Sequence, residues 1–511
     1  MAQKVYSCAL NGLKCQIVEI EADISNGISS FCIVGLGDAS VQESKERVRS
    51  GIKNSGATFP YTRKTINLAP AQIKKQGSHF DLPIAISILL ATSQIRGDLL
   101  EGSVILGELS LTGEVKEISG TLPMIQQAKE QGFRKFFIPI KNSIEAGFID
   151  DIEIYPISNL REFIKILNTP GDSRLKINKK NINDFFNESE KQFILFPQLA
   201  GLEKEKKALE ISAAGAHNIF FNGPPGCGKT VLARSIKELL PKMSKEEMIE
   251  CTKIYSVAGM LDEQNPIINT RPFREVHHTA TRISIIGGGG THLKPGEISL
   301  AHNGVLFFDE ISEFPSNILD SMRQPLEDKT INISRSGFSV NFPAGFIFLA
   351  CTNPCPCGHF GSDEKTKKCN CSDKIRKNYK NKISGPILDR FDLFLTVDKV
   401  NLKNIFDINH TEENLTIRLN RIESACEIQK MRFKNHKNIN RNSDMTVKEI
   451  KEFCQLDKET IKILEQAYKN LKLSNRAYLK TIKVARTIAD LSGREKIRLN
   501  DVLEALQYRI F

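Results

Sequence analysis

The chain has 511 residues, 40% of them hydrophobic and 26% charged, values ordinary for a soluble protein, and its length suggests about three domains. Its net charge of +11 is only a weak cue to a polyanionic partner, because a Lys-rich composition alone gives such values. No apolar leader opens the sequence and no run of about 18 apolar residues occurs, so a cytoplasmic protein without membrane contact is expected, its 12 cysteines unpaired in a reducing compartment.

Residues 1–168 read as a first unit of alternating strands and helices, with strands expected at 15–20, 31–34, 65–68, 104–107 and 135–138. Residues 169–192 are rich in Asn and Lys and read as a linker. The span 193–399 carries the chemistry. Residues 217–222 form an apolar strand that runs into Gly223-Pro224-Pro225-Gly226-Cys227-Gly228-Lys229-Thr230, a complete G-x-x-x-x-G-K-[ST] phosphate-binding loop. Glycines let the backbone curl so that its N–H groups face phosphate oxygens. Lys229 then reaches the β- and γ-phosphates, Thr230 holds Mg²⁺, and the helix that opens at Thr230 favours an anion at its N-terminus.

About eighty residues on, 304–308 is an apolar run ending in Asp309 and Glu310, the pattern of a buried central strand with acids at its C-terminal tip. In doubly wound sheets that tip faces the ligand crevice. Asp309 is expected to bind Mg²⁺ through water and Glu310 to polarise the attacking water. A third apolar run, 345–352, ends in Asn353, whose amide can orient that water. Three strands ending in fitting polar groups identify a nucleoside triphosphatase.

Cys355-Pro356-Cys357 and Cys369-Asn370-Cys371 are two C-x-C pairs, and four thiolates so spaced suit a tetrahedral Zn²⁺, with His359 as a substitute ligand. The other eight cysteines read as small buried hydrophobes. Lys365, Lys367, Lys368, Lys374, Arg376, Lys377, Lys380 and Lys382 lie between and after the pairs, either as cations for phosphates or as a solvated basic face. Residues 400–511 turn helical, with apolar residues at three- and four-residue spacing.

On these residues the chain resembles the ComM/YifB-type proteins, the magnesium-chelatase-like branch of AAA+ ATPases, nearly end to end. The blocks that carry the resemblance are 213–218 (AAGAHN), 271–280 (RPFREVHHTA), 295–304 (PGEISLAHNG), 323–328 (RQPLED) and 485–491 (ARTIADL). The resemblance implies an α/β P-loop core with a helical lid and a homo-hexameric ring with ATP between subunits. It also implies a motor on single-stranded or branched DNA, a helicase or branch-migration factor in recombination during natural transformation, with recombination proteins as partners. Leu388-Asp389-Arg390-Phe391-Asp392 looks like the motif that carries the arginine finger in the related MCM helicases, which nominates Arg390. Arg486 sits in the lid block that should supply a sensor arginine in cis. The other reading of each arginine is an ion pair, and the role of Arg323 is not fixed by the resemblance.

The first unit looks like the Lon-protease-type α+β domain with a ribosomal-S5-like fold, through 107–115 (GELSLTGEV) and 136–139 (FFIP). Alignment with the protease puts Asp81 at its serine nucleophile and Leu122 at its lysine base, a pair that cannot do that chemistry. Ser78, Lys74 and Lys75 are out of register, so a scaffold or a surface for DNA or partners is expected. The stretch 287–290 looks like an inserted pore loop, and Lys329 and Arg335 flank a β-rich segment, 330–340, that reads as a second pore hairpin. Around the first lie His277, His278, His292 and His302 with Arg271, Arg274, Arg282 and Lys294. Pore contacts to nucleic acid, structural hydrogen bonds and a metal site all stay open for them. Two other functions compete with the motor: a metal-insertion chaperone like the magnesium chelatase ATPase subunit, and a Lon-like protease, which Asp81 and Leu122 disfavour.

Overall fold

The computed structural model describes residues 4–169, 195–196, 199, 201–262, 264–289, 293–335, 338–361, 369–398, 411–436 and 439–509. The expected linker lies outside the described residues apart from residue 169, as do Gly290, His292, Lys365, Lys367 and Lys368 and the side chain of Arg335.

The first unit is a seven-stranded mixed sheet, in the order Ser30–Val34, Arg63–Ala69, Lys14–Ser25, Val5–Asn11, Ser103–Ile105, Lys135–Pro139, Glu153–Ile157. All five expected strands are present, the fourth ending at Ile105 rather than at residue 107, and the two strands Val5–Asn11 and Glu153–Ile157 were not foreseen. Side chains alternate across the sheet, as its period of two requires. Phe137 enters a core with Val48, Leu82 and Leu89 from the helices Ala39–Asn54 and Asp81–Ala91. Its neighbour Phe136 enters the opposite core with Leu122 and Ile125 from the helix Thr121–Glu130.

A five-stranded, wholly parallel sheet follows, in the order Phe273–Val276, Val305–Phe308, Ile347–Thr352, Ile219–Asn222, Leu393–Thr396. Both faces are covered, which is why these strands read as unbroken apolar runs. Phe221, Phe307 and Leu349 face a core shared with the helices Glu203–Gly215 and Lys229–Leu239, while Phe220, Phe308 and Ala350 face the other side with Phe342, Ile387 and Phe391. The hairpin expected at 330–340 is real and longer, Thr330–Arg335 paired antiparallel with Phe338–Pro343.

The C-terminal region is helical: Thr411–Arg432, Val447–Phe453, Lys458–Asn470, Asn475–Leu491 and Leu499–Gln507. It packs on Glu203–Gly215, so blocks far apart in sequence meet. His217 Nε2 lies 2.8 Å from Thr487 Oγ1, and the Gln429 amide donates to the Ala214 carbonyl at 3.1 Å. Asp392 accepts the Asn218 backbone N–H at 2.9 Å and pairs with Lys480 at 2.9 Å. The first unit touches the second through Gly120, whose N–H donates to the Ser256 carbonyl at 3.0 Å, and through buried Glu145, which accepts from Ser256 Oγ at 2.8 Å. Among the described residues no helix is long and apolar enough to cross a membrane.

Candidate nucleotide site and cysteine centre

The register of the parallel sheet brings three strand ends to one edge. Asn222 is level with Thr352, and Phe308 with Ala350. The chain leaves these strands as the phosphate loop, as Asp309-Glu310 and as Asn353 respectively. The loop needs its glycines for different reasons. Gly226 (φ +78°) and Gly228 (φ +90°) take left-handed backbone, whereas a Cβ on Gly223 would collide with the Val397 carbonyl. Lys229, 9% exposed, donates through Nζ to the carbonyls of Gly223 (2.7 Å) and Pro224 (2.9 Å) and to Asn353 Oδ1 (3.2 Å). Cys227 is buried against the same loop, and burial raises its thiol.

Thr230 Oγ1 donates to Asp309 Oδ2 at 2.8 Å, so hydroxyl and carboxylate oxygens sit together as a hard-cation pair. That donor set fits Mg²⁺. Asp309 Oδ1 accepts the Glu310 backbone N–H at 3.0 Å. Glu310 itself is exposed and left-handed, φ +51°, an uncommon conformation for a non-glycine residue and one that clusters at functional sites. The loop, Lys229, Thr230, Asp309, Glu310 and Asn353 thus lie together, as the strand ends suggested.

Arg390 does not join them. It lies before the Leu393–Thr396 strand, at the opposite end of the sheet, where its carbonyl accepts from the Asn218 amide at 2.9 Å. Its guanidinium pairs with Glu327 and donates to the Pro386 carbonyl at 2.7 Å. Arg476, near the start of the Asn475–Leu491 helix, reaches the other oxygen of Glu327 at 2.5 Å. One glutamate therefore bridges two arginines, and the sequence reading had not singled out Arg476.

Arg486 requires a correction. It is 1% exposed, and its guanidinium donates to Asp490 (3.1 and 2.9 Å) and to the carbonyls of Arg494 and Glu495 (both 2.5 Å). Enclosed in this way it has no free face for a γ-phosphate, so it serves as an ion pair of the lid core. Arg323 pairs with Asp320 at 2.7 Å on the surface and donates to Ser384 at 3.2 Å.

The basic and histidine segment also divides. Arg271 pairs with Glu247 and Arg274 with Glu297, both with two oxygens, and His302 is buried between Glu250 and the Gly345 N–H. These are structural hydrogen bonds. Arg282, Lys294 and His277 are exposed and His278 is half-buried, the two histidine rings tilted with centres 4.1 Å apart. In the first unit, buried Asp81 accepts from Ser44 (2.5 Å) and Arg47 (2.6 Å), and Leu122 lies in the core. Ser78 donates to Glu108, and Lys75 to the Pro70 carbonyl.

The four clustered cysteines do converge. Cys355 Sγ is 3.3 Å from that of Cys357 and 3.7 Å from that of Cys369, Cys357 and Cys369 are 3.6 Å apart, and all four sulfurs lie within 4.8 Å of one another. Thiolates about 2.3 Å from a tetrahedral zinc would be roughly 3.8 Å apart, so the donors fit it. Among the described residues this is the one group of three or more potential ligands, and His359 is not part of it. The backbone N–H of His359, together with the neighbouring thiol of Cys355, draws the Cys357 thiol down to about 6, while burial pushes Cys355 up to about 11. Lys374, Lys377 and Lys380 form an exposed basic face on the following helix, Asp373–Asn381.

The chain is similar to known proteins along nearly its whole length. The family described as magnesium chelatase, subunit ChlI, matches residues 196–405, that of its C-terminal part residues 412–509, and a further model, subunit ChlI of Mg-chelatase, residues 20–142. Competence protein ComM of Haemophilus influenzae is 39% identical over 516 aligned positions, covering 99% of this chain and 97% of that protein. The uncharacterized protein YifB of Escherichia coli is 36% identical over 99% of this chain and 96% of its own length. The magnesium-chelatase 67 kDa subunit of Heliobacterium mobile is 24% identical over 61% of this chain and 46% of that protein.

Proposed function

The chain belongs to the ComM/YifB-type family of magnesium-chelatase-like AAA+ proteins, and from that premise we propose that it is an ATPase driving DNA as a ring of identical subunits, six by the family resemblance. The observation that carries the reading is the division of the machinery between two edges of one sheet, with Lys229, Thr230, Asp309, Glu310 and Asn353 at one and Arg390 at the other. A group placed at the far edge serves a neighbour's nucleotide rather than its own.

In this reading the loop N–H groups and Lys229 hold the β- and γ-phosphates, and Thr230 and Asp309 hold Mg²⁺. The bound cation supplies charge neutralisation on the phosphate oxygens. Glu310 accepts a proton from the attacking water, and Asn353, already tied to Lys229, orients that water. Arg390 of the adjoining subunit stabilises the charge on the transferred phosphoryl group, and Arg476, held by the same Glu327, accompanies it.

The exposed lysines of Asp373–Asn381, the His277–His278 pair and the net positive charge support single-stranded or branched DNA as the substrate. The similarity to the competence protein of Haemophilus influenzae supports placing the work in recombination of incoming DNA in the cytoplasm, with recombination proteins as partners. Residues 1–168 we take as a Lon-like scaffold, residues 193–399 as the ATPase core and 400–511 as its lid. Asp81 and Leu122 leave the first unit without a serine–lysine pair at those positions. The three magnesium chelatase family matches favour a second reading, a metal-insertion chaperone. ATP turnover and branch migration measured on four-way junction DNA separate the two. Stimulation by the junction with movement of its branch point is expected. Indifference to every DNA, beside ATP-dependent metal insertion into a porphyrin, would favour the chaperone.

A further inference from the structure

We propose that the four-cysteine centre, once it holds a divalent metal, is a strut for the phosphate loop, so that metal occupancy and nucleotide affinity are coupled. The inference rests on the readings above that these thiolates bind metal and that the Lys229 loop binds ATP. It goes beyond them by giving the metal a role in the ATP site.

Two arms run from the cysteines to the nucleotide machinery. The first begins at Asn353, which accepts from Lys229, and reaches buried Cys355 two residues later. The turn that follows is closed by the Gly358 N–H donating to the Cys355 carbonyl at 2.9 Å. Gly358 is left-handed, φ +80°, and a Cβ there would lie 2.6 Å from Cδ and 2.9 Å from Cγ of Pro225. Only bare backbone fits against that ring, so the cysteine turn lies directly on the phosphate loop.

The second arm leaves from Cys371. Ser372 caps the helix Asp373–Asn381, accepting from the Ile375 N–H at 3.4 Å. Further along, buried Tyr379 lies beside Ser312 and Thr352, whose hydroxyls are 2.6 Å apart. Ser312 lies two residues beyond Glu310 and Thr352 immediately precedes Asn353. Arg376 of the same helix covers the ring of Phe360 at 4.1 Å, bringing the two arms together. A metal joins these arms by four strong bonds, whereas thiol-to-thiol contacts are weak hydrogen bonds. Metal binding therefore fixes Pro225 from one side and the Asp309–Asn353 strand ends from the other.

Coupling of this kind is reciprocal: if metal tightens nucleotide binding by some factor, nucleotide tightens metal binding by the same factor. The test uses the full-length protein loaded with Zn²⁺ or Co²⁺ and follows metal transfer to a chromophoric chelator, with and without a non-hydrolysable ATP analogue and excess Mg²⁺. The analogue is expected to lower the apparent metal release at least about fivefold, within the usual range of such couplings. Stripped protein is expected to bind the analogue more weakly by a similar factor, and Lys229→Ala to show no effect of the analogue on release. One zinc per chain with release indifferent to nucleotide would overturn the coupling while leaving the metal site standing. So would an undiminished nucleotide effect in Lys229→Ala. Protein that takes up neither Zn²⁺ nor Co²⁺ through these thiols would remove the metal reading and the strut with it.

Discussion

The Asn218 side chain holds the backbone carbonyl of Arg390 at 2.9 Å, one residue before the Ile219–Asn222 strand begins, while the phosphate loop starts where that strand ends. Four residues of strand, about 13 Å, separate the two sites along the sheet. Arg390 is also tethered sideways to Glu327, which holds Arg476 as well. The arginine motif and the phosphate loop of one chain therefore lie at opposite ends of that strand, the arrangement on which the proposed shared site rests.

Replacing Lys229 with Ala should abolish ATP turnover, because it removes the cation closest to the transferred phosphate. Glu310→Gln should bind ATP yet hydrolyse it roughly 10²–10⁴-fold more slowly, the range for loss of a general base. Nucleotide binding and single-turnover hydrolysis distinguish them. Near-normal turnover in Glu310→Gln would remove Glu310 from the base role.

The two lid arginines should behave oppositely. Arg476→Ala should keep nucleotide affinity but lower kcat about tenfold, and the loss should not add fully to that of Arg390→Ala if the two act on one phosphate. Arg486→Met should instead cost about 2 kcal/mol of stability, because buried Asp490 keeps Arg432 but loses its second guanidinium and the Arg494 and Glu495 carbonyls lose their donor, with kcat per folded molecule near wild type. Steady-state kinetics beside thermal unfolding checks both. A catalytic defect in a stably folded Arg486→Met would restore the sensor assignment.

That contrast marks where the sequence was legible. The phosphate loop, Asp309-Glu310 and Asn353 were readable because each is a short motif at the end of an apolar strand, and parallel register alone brings such ends together. The C-x-C pairs were readable because the chemistry of four thiols survives any loop geometry. Arg486 misled because its block is a packing block. It lies among Ile482, Ala485 and Ala489 with Asp490 four residues on, the pattern of an ion pair sunk in an apolar helix face. Arg476 carried no motif, and only its bridge through Glu327, 149 residues away, revealed it. The strands Val5–Asn11 and Glu153–Ile157 escaped because the first is a short mixed run, VYSCALN, and the second holds a proline.

Zinc should be present at about one per chain in protein purified without chelators, and Cys371→Ser should lose it. Elemental analysis decides this. Retention of zinc in Cys371→Ser would require another ligand, with His359 the first to replace.

Acid should act at the Asp392 junction. Burial alone would raise this carboxyl, but the Lys480 charge and the His217 ring beside it outweigh that and hold it far below the ordinary range. Lys480, lowered to about 8 by its own burial, still carries its proton at neutral pH. Because the folded carboxyl binds a proton less readily than the unfolded one, its contribution is complete above the unfolded value near 3.8 and is lost as pH falls below it. Asp392→Asn should be less stable than wild type by about 3 kcal/mol at pH 7, with the gap closing below about pH 4. Urea unfolding across pH 3–7 reads it, and a gap that stays constant would contradict the pairing.

The most direct test of a site shared between subunits is the ATPase rate of a mixture of Arg390→Ala and Lys229→Ala proteins. Each alone should be nearly inactive, Arg390→Ala by about 10³-fold while still binding nucleotide. Mixed rings contain interfaces where an intact phosphate loop meets an intact Arg390, and activity should return in proportion to them. No recovery, in mixtures shown by differential labelling to exchange subunits, would contradict the account and return Arg390 to a role within its own chain.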